Sequence, residues 1–220
     1  MAENTDENVV VIGLGRFGGQ VAESLLKLGH EVLGVDENVE LVQQWSDRLT
    51  HVVQADSTDG DAMEQVGIRE FTRAVVGIGS DIEASVLTVL TLSELGLRDI
   101  WAKAVSAKHG KILRSVGAHH VIYPEATMGD RVAHLIAGRM LDVIEFDDGF
   151  AVARTRTPRD AGERTLADLG LRTKYGVTVI GFKTHGAGFV HATPDAVVPD
   201  GAELIVTGPI DQVQRFTAAT

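Results

Sequence analysis

Residues 9–18, VVVIGLGRFG, decide the fold of this 220-residue chain. An apolar run leads directly into Gly13-x-Gly15-x-x-Gly18, and a second apolar run, EVLGVD, ends at Asp36. In a strand–loop–helix unit of this kind, two glycines allow a tight turn and the close approach of a phosphate, and the third lets the helix pack on the strand. The acidic residue after the second strand binds ribose hydroxyls. The stretch therefore predicts a nucleotide-binding βαβ unit.

Short apolar runs alternate with stretches of helical length as far as Pro124, which is the pattern of a doubly wound parallel sheet. Gly29 is expected to end the first helix, and Asp59 and Asp81 are expected to cap the third and fourth helices at their N-termini. The fold class is therefore predicted as α/β, with a Rossmann-like sheet. Its strands are predicted at residues 9–12, 32–35, 51–55, 74–78, 100–104 and 120–122.

The pattern changes after Pro124. Residues 128–142 are predicted to form an amphipathic helix with Val132, Leu135, Ile136 and Met140 on one side. This helix connects two lobes, and it either packs on a partner or covers its own sheet. A small α+β C-terminal lobe follows. Its strands are predicted at residues 150–155, 177–182, 189–192 and 204–207, and its helices at 165–171 and 210–218.

The composition excludes several classes of protein. The chain has no Cys, which excludes disulfides, thiolate nucleophiles and Cys-ligated zinc. Its formal net charge of −11, with scattered Lys and Arg, argues against nucleic acid as a partner. No apolar run approaches the roughly 20 residues of a membrane span, and the polar start, MAENTDEN, does not resemble a signal peptide. We therefore expect a cytoplasmic chain.

Ligands of doubly wound sheets bind beyond the carboxyl ends of the strands. Asp36 is expected to accept both hydroxyls of an adenosine ribose and to repel a 2′-phosphate. Lys103 is expected to contact phosphates, and Glu125 to hold a cation beside them. The predicted binding residues are Gly13, Leu14, Gly15, Arg16, Phe17, Gly18, Asp36, Asn38, Asp56, Ser57, Gly79 and Lys103, with Glu125 as the metal ligand.

Arg16 distinguishes between the candidate nucleotides. A cation in the first turn of a helix is disfavoured by the helix dipole unless an anion shares the site. A guanidinium grips terminal phosphate oxygens in a bidentate way, which suits ATP or ADP better than a pyrophosphate between two ribosides. The sequence thus favours ATP or ADP over NAD or NADH.

Catalytic groups are hard to find in the sequence. Neither Tyr123 nor Tyr175 begins a Tyr-x-x-x-Lys pair, and there is no His-Glu-x-x-His motif. The adjacent His119 and His120 would point to opposite faces of a strand, so they are expected to be structural. We therefore predict that the chain is not an enzyme. A small NAD-linked oxidoreductase and an NADH-sensing regulator remain the alternatives.

Four runs of the sequence resemble a known family, the KtrA/TrkA family of cytosolic regulatory subunits of bacterial potassium-uptake systems. The similarity covers nearly the whole chain. It is far more specific for one family than the glycine loop alone. The runs are VVVIGLGRFGGQVAESLLKLGHEVLGVDENVE, IEASVLTVLTLSELGLRDIWAKA, GAHHVIYPEATMGDRVA and LRTKYGVTVIGFK.

The resemblance implies a gating protein without catalytic activity. Members form octameric rings of dimers beneath a membrane-embedded potassium-translocating subunit, and exchange of ATP for ADP changes the shape of the ring. It further implies that Arg16 binds a terminal phosphate, that Glu125 holds Mg²⁺ or Na⁺ at the dimer interface, and that Arg172 and Pro194 contact cyclic di-AMP. The implied domains are a nucleotide-binding RCK domain (1–125), a crossover helix (126–143) and a C-terminal ligand-binding lobe (144–220).

Overall fold

The computed structural model describes residues 8–136, 140–146, 148–158, 161, 164–184 and 186–220. The chain forms two compact units, Met1–Glu125 and Ala126–Thr220. In the part of the chain that the structure describes, no helix has the length and apolar character needed to cross a bilayer.

The N-terminal unit is built on a six-stranded parallel sheet with the strand order β3-β2-β1-β4-β5-β6. This order confirms the predicted doubly wound sheet. The strands are β1 (Asn8–Ile12), β2 (Glu31–Asp36), β3 (His51–Gln54), β4 (Arg73–Val76), β5 (Asp99–Lys103) and β6 (His120–Ile122). The helices are α1 (Arg16–Lys27), α2 (Val39–Ser46), α3 (Gly60–Gln65), α4 (Ile82–Glu94) and α5 (Ala107–Ser115), with a 3₁₀ turn at Ile68–Glu70.

Successive residues of β1 face two different apolar cores. Val9 and Val11 lie in one core with α1 and α2, and Val10 and Ile12 lie in the other with α4 and α5. Both faces of the strand are buried, as expected for a parallel strand between two layers of helices. The glycine loop at the end of this rigid strand therefore has a fixed position.

The expected helix ends are confirmed. The carboxylates of Asp59 and Asp81 accept hydrogen bonds from backbone N–H groups in the first turns of α3 and α4. Gly29 follows the end of α1 with a φ of +90°, the left-handed conformation that favours glycine.

The C-terminal unit contains an antiparallel sheet with the order β10-β9-β11-β8-β7. Helix α6 (Pro124–Ile136) precedes this sheet along the chain. The strands are β7 (Asp142–Glu145), β8 (Phe150–Arg156), β9 (Thr178–Lys183), β10 (Val190–His191) and β11 (Glu203–Pro209), and the helices are α7 (Leu166–Leu169), α8 (Leu171–Tyr175) and α9 (Ile210–Thr217).

Two predictions for this unit are wrong in detail. The helix predicted at 128–142 begins at Pro124, since proline suits the first helical position, and Asp142 opens strand β7 because this segment pairs with β8. Residues 137–139 lie outside the described residues. The helix predicted at 165–171 is divided at Gly170, whose φ of +56° ends α7 before α8 begins.

Candidate functional site

The loop after β1 requires glycine at two of its positions. Gly13 has a φ of +85°, a conformation that side chains disfavour. A Cβ atom on Gly18 would lie 1.9 Å from the carbonyl oxygen of Gly13, so α1 packs against the loop without room for a methyl group. At Gly15, by contrast, none of the described atoms lies within 4 Å of a built Cβ. Gly15 is therefore open toward the cavity beside the loop.

Asp36 fastens this loop from the end of β2. Its Oδ2 accepts a hydrogen bond from the backbone N–H of Leu14 at 2.6 Å, and its Oδ1 accepts one from Asn38 at 2.8 Å. The indole N–H of Trp45 donates to the carbonyl oxygen of Leu14 at 3.0 Å. An ionised carboxylate has about four acceptor sites, so Asp36 keeps capacity for hydroxyl groups of a ligand.

A cavity of about 470 Å³ lies at the carboxyl ends of the strands of the N-terminal unit. The structure places Leu14, Arg16, Phe17, Gly18 and Lys103 outside its lining. The predicted residues that line it are Gly13, Gly15, Asp36, Asn38, Asp56, Ser57 and Gly79.

Two residues at the start of α4, Asp81 and Glu83, line the cavity without having been predicted as binding residues. Their position where the segment after β4 leads into α4 is the signal that could have found them, because such segments lie at the carboxyl edge of the sheet. Ser57 also lines the cavity, but its hydroxyl is hydrogen-bonded to Thr88 at 2.7 Å. Ser57 therefore both holds Thr88 of α4 and lines the cavity.

The Asp56 carboxylate is held by Thr58. Its Oδ1 accepts hydrogen bonds from the Thr58 hydroxyl at 2.7 Å and from the Thr58 backbone N–H at 2.9 Å. These two bonds lower the pKa of Asp56. Asp56 is consequently ionised at neutral pH.

The charged side chains that line the cavity are all carboxylates. Among the described residues that line it there is no Lys or Arg. The interior thus suits the uncharged nucleoside part of a nucleotide, with its hydroxyl and amino groups, better than its phosphates. The lining carboxylates are Asp36, Glu37, Asp56, Asp81 and Glu83.

The cations lie beside the loop. Lys103, at the end of β5, contacts Glu125 in the first turn of α6, with 2.6 Å between Nζ and Oε1. The Lys103 side chain is 12% exposed, and its ammonium lies 5.7 Å from the centre of the Phe17 ring. A Cβ on Gly79 would lie 3.1 Å from Nζ, so Gly79 makes room for the lysine. Arg16 is the exposed first residue of α1.

The hydrogen bond from Lys103 is the main reason why the pKa of Glu125 is lowered, and the charges of Lys103 and Arg16 lower it further. Because the pKa is depressed, the ion pair persists as the pH falls below the range in which an isolated glutamate becomes protonated. We expect the Glu125 carboxyl ¹³C resonance to titrate below the range of an isolated glutamate, and Lys103→Met to raise its midpoint. An unchanged midpoint in the Lys103→Met chain would contradict the pairing.

A metal ion held by the described residues would need further ligands. Among the described residues, no group of three or more His, Asp and Glu side chains is placed to hold one. Glu125 is a single carboxylate, so it fits a cation only if phosphate oxygens supply the other ligands. His119 accepts a hydrogen bond from Ile100 N–H, and His120 stacks on Trp101 with 4.0 Å between ring centres. Both histidines thus have structural contacts.

A second cavity, of about 250 Å³, lies within the C-terminal unit. Arg172 from α8 and Pro194 from the loop after β10 both line it. The other lining residues are Leu166, Ala167, Leu171, Val177, Thr178, Val179, Ala192 and Thr193.

Comparison with known families finds two matching domains. The TrkA-N domain matches residues 9–124, and the TrkA-C domain matches residues 161–220. Ktr system potassium uptake protein A of Bacillus subtilis (strain 168) is 35% identical over 217 residues, which cover 98% of this chain and 98% of that protein. Ktr system potassium uptake protein C of the same organism is 35% identical over 207 residues, or 94% of each chain.

Several solved structures share this fold at low sequence identity. The GsuK channel aligns with a TM-score of 0.69 and 17% identity over 100% of this chain and 40% of the channel chain. Structures of GsuK described as bound to NAD and to ADP align with TM-scores of 0.53 and 0.50, at 23% and 18% identity. They match 100% and 56% of this chain, and 39% and 32% of the channel chains.

The TrkA-N match covers more than half of the chain, and the Bacillus relatives align along almost all of it. The sheet order, the glycine loop and the position of Asp36 agree with a nucleotide-binding fold of this kind. The chain therefore belongs to the TrkA family, with a TrkA-N domain followed by a TrkA-C domain.

Proposed function

We propose that this chain is a cytosolic, nucleotide-sensing regulatory subunit of a bacterial potassium-uptake system. It binds ATP or ADP in the TrkA-N domain, acts on a separate membrane-embedded potassium-translocating subunit, and catalyses no reaction of its own. One observation carries the proposal: an acid-lined cavity ends at the glycine loop, and the cations Lys103 and Arg16 lie beside that loop. This arrangement suits a nucleoside in the cavity and phosphates next to it.

The chemistry of the site favours an adenine nucleotide without a 2′-phosphate. The remaining acceptor sites of Asp36 suit the two ribose hydroxyls, and its charge repels a phosphate there. Arg16 and Lys103 bind the terminal phosphates, and Glu125 shares Mg²⁺ or Na⁺ with the phosphate oxygens. ADP is a part of NAD, so an NADH-sensing regulator using the same cavity is the second candidate, supported by the GsuK structure with NAD.

We propose further that α6 joins two copies of the chain. All residues of α6 are described and none is buried, although Met128, Val132, Leu135 and Ile136 are large and apolar. The N-terminal unit has an apolar groove of about 270 Å³ on the face of its sheet. We assign α6 of a second copy to this groove, with the dimers assembling into an octameric ring. The groove is lined by Val9, Phe17, Val21, Leu25, His30, Arg73, Val75, Trp101 and Ile122.

The cavity of the TrkA-C domain is proposed to bind cyclic di-AMP between two copies. Arg172 supplies a cation for a phosphate, and Pro194 and the apolar lining provide surface against a purine. The presence of both residues in one cavity supports this assignment.

A panel of ligands tests the proposed function. ATP, ADP, NAD, NADH and cyclic di-AMP are each added to the full chain, and the melting temperature is recorded. A ligand at 100 times its dissociation constant stabilises its domain by about 2.7 kcal/mol, which gives a clear shift. We expect ATP and ADP to stabilise the chain more than NAD or NADH. Stronger stabilisation by NADH would favour the second candidate, and oxidation of NADH by an added substrate would favour an oxidoreductase.

Arg16→Ala is expected to weaken ATP binding more than ADP binding, because the guanidinium faces the phosphate that only ATP carries. Hydrogen bonds to charged groups contribute about 1.5–3 kcal/mol, so the loss for ATP should be on the order of tenfold or more. Calorimetric titration measures both affinities. Arg215→Ala, which removes the same charge from the C-terminal unit, is the matched control. Equal losses for ATP and ADP would refute this role of Arg16.

A further inference from the structure

We propose that Lys103 changes its partner when a nucleotide binds. A terminal phosphate takes the place of Glu125 beside the Lys103 ammonium, and the Glu125 carboxylate is released from the end of β5. This inference rests on the proposed function, because it concerns the same nucleotide site. No covalent step is involved, only the exchange of one anion for another.

The two members of the pair differ in their freedom to move. The Lys103 side chain is 12% exposed, and its ammonium lies 5.7 Å from the centre of the Phe17 ring and 3.1 Å from the point where a Cβ on Gly79 would lie. The Glu125 side chain is 67% exposed. A competing anion therefore displaces the glutamate while the lysine keeps its position.

Gly79 links this pair to the nucleotide cavity. It lines the cavity, and the point where its Cβ would lie is 3.1 Å from the Lys103 ammonium. Lys103 consequently lies just behind the cavity wall, although its own side chain is not part of the lining. A phosphate at the glycine loop would lie near this ammonium, which attracts it. The charged side chains of the cavity lining are carboxylates, which repel it.

The charges make the exchange depend on a cation. Arg16 and Lys103 both act on the carboxylate of Glu125. A phosphate that takes over Lys103 leaves Glu125 as a second anion nearby, and the two repel each other unless a cation lies between them. Glu125 therefore opposes ATP binding when neither Na⁺ nor a divalent cation lies between the two groups, and supports it when Mg²⁺ bridges them.

The exchange also changes what holds the start of α6. Glu125 is the second residue of this helix, and the ion pair ties the helix to the end of β5. Release of Glu125 removes this tie. The terminal phosphate thus acts on the first turn of the helix that we assign to the dimer contact.

The test compares Glu125→Gln with the unchanged full chain, using calorimetric titration of ATP and ADP with EDTA or with Mg²⁺. In EDTA without sodium salts, Glu125→Gln should bind ATP roughly two- to fivefold more tightly, the range for loss of one partly exposed ion pair. In Mg²⁺, the same variant should bind ATP more weakly than the unchanged chain. Glu23→Gln removes the same charge from another ion-paired glutamate and should change either affinity less than about twofold.

A second substitution separates competition for Lys103 from general repulsion. In a Lys103→Met background, Glu125→Gln should tighten ATP binding in EDTA less than it does when Lys103 is present, because the two anions no longer compete for Lys103 and only their mutual repulsion is relieved. Equal tightening in the two backgrounds would overturn the exchange, and so would an affinity of Glu125→Gln in EDTA that is equal to or weaker than that of the unchanged chain. If the unchanged chain binds none of ATP, ADP, NAD and NADH, the proposed function itself fails. Melting temperatures of all variants establish that they are folded.

Discussion

Replacing Gly18 with alanine is expected to destabilise the N-terminal unit by about 1–3 kcal/mol and to abolish nucleotide binding. The new Cβ would lie 1.9 Å from the carbonyl oxygen of Gly13 and 3.5 Å from a methyl group of Val11. The first of these is a backbone atom of a loop that Asp36 and Trp45 hold in place. Relief therefore requires α1 to move away from β1. Urea unfolding measures the stability, and calorimetric titration measures the binding.

Gly15→Ala is the matched control, since it adds the same methyl group three residues earlier. In the part of the chain that the structure describes, no heavy atom lies within 4 Å of this Cβ, and the φ of −63° suits any residue. The fold should be retained. Gly15 lines the cavity, however, so the methyl group should keep the phosphates away and weaken ATP binding by about tenfold or more. A Gly18→Ala chain as stable as the unchanged protein would contradict the close contact between α1 and the loop.

The sheet of the N-terminal unit was predictable because its strands β1 and β2 are buried on both faces. Such strands are continuous apolar runs, and they end at glycine or polar residues, here Gly13 and Asp36. The C-terminal unit gave a weaker signal. Strand β7 carries the mixed sequence DVIE, which continues the apolar periodicity of α6, and only its pairing with β8 makes it a strand. The local pattern of apolar residues does not indicate which strand β7 pairs with.

The sequence predicted the site residues that lie at the end of a single strand. It did not predict the features of the site that depend on a contact between two elements. Strand ends predicted Asp36 and Asp56 as cavity residues, and both line the cavity. The ion pair of Lys103 and Glu125 joins β5 to α6, and the two residues are 22 positions apart in the sequence. No sequence motif indicates a contact over that separation. The acidic character of the lining was also missed, because Asp81 was identified only as a helix cap. A role that depends on a contact between two elements can be identified only from the structure.

Val132→Asp is expected to break the dimer contact that α6 makes and so to lower the mass of the assembly. Met128, Val132 and Leu135 are four and three positions apart, so they lie on one side of α6, and all three are exposed. Burial of a valine side chain contributes about 1.5–3 kcal/mol, and a carboxylate buried without a partner adds a further cost. A two-fold contact contains each substitution twice, so the dissociation constant of the dimer should rise by about 100-fold or more.

Light scattering after size exclusion measures this effect, and Ala133→Asp is its control. Ala133 is the next residue of the same helix, about 100° further round, so it lies off the apolar side and the substitution adds the same charge. The control should keep the mass of the unchanged assembly, and both variants should keep its helix content. Trp101→Asp tests the other partner of the contact, since Trp101 lines the groove on the sheet, and it should dissociate the assembly like Val132→Asp. A Val132→Asp chain that remains assembled would place the contact elsewhere. Dissociation by Val132→Asp but not by Trp101→Asp would retain α6 in the contact and assign its partner to a surface other than this groove.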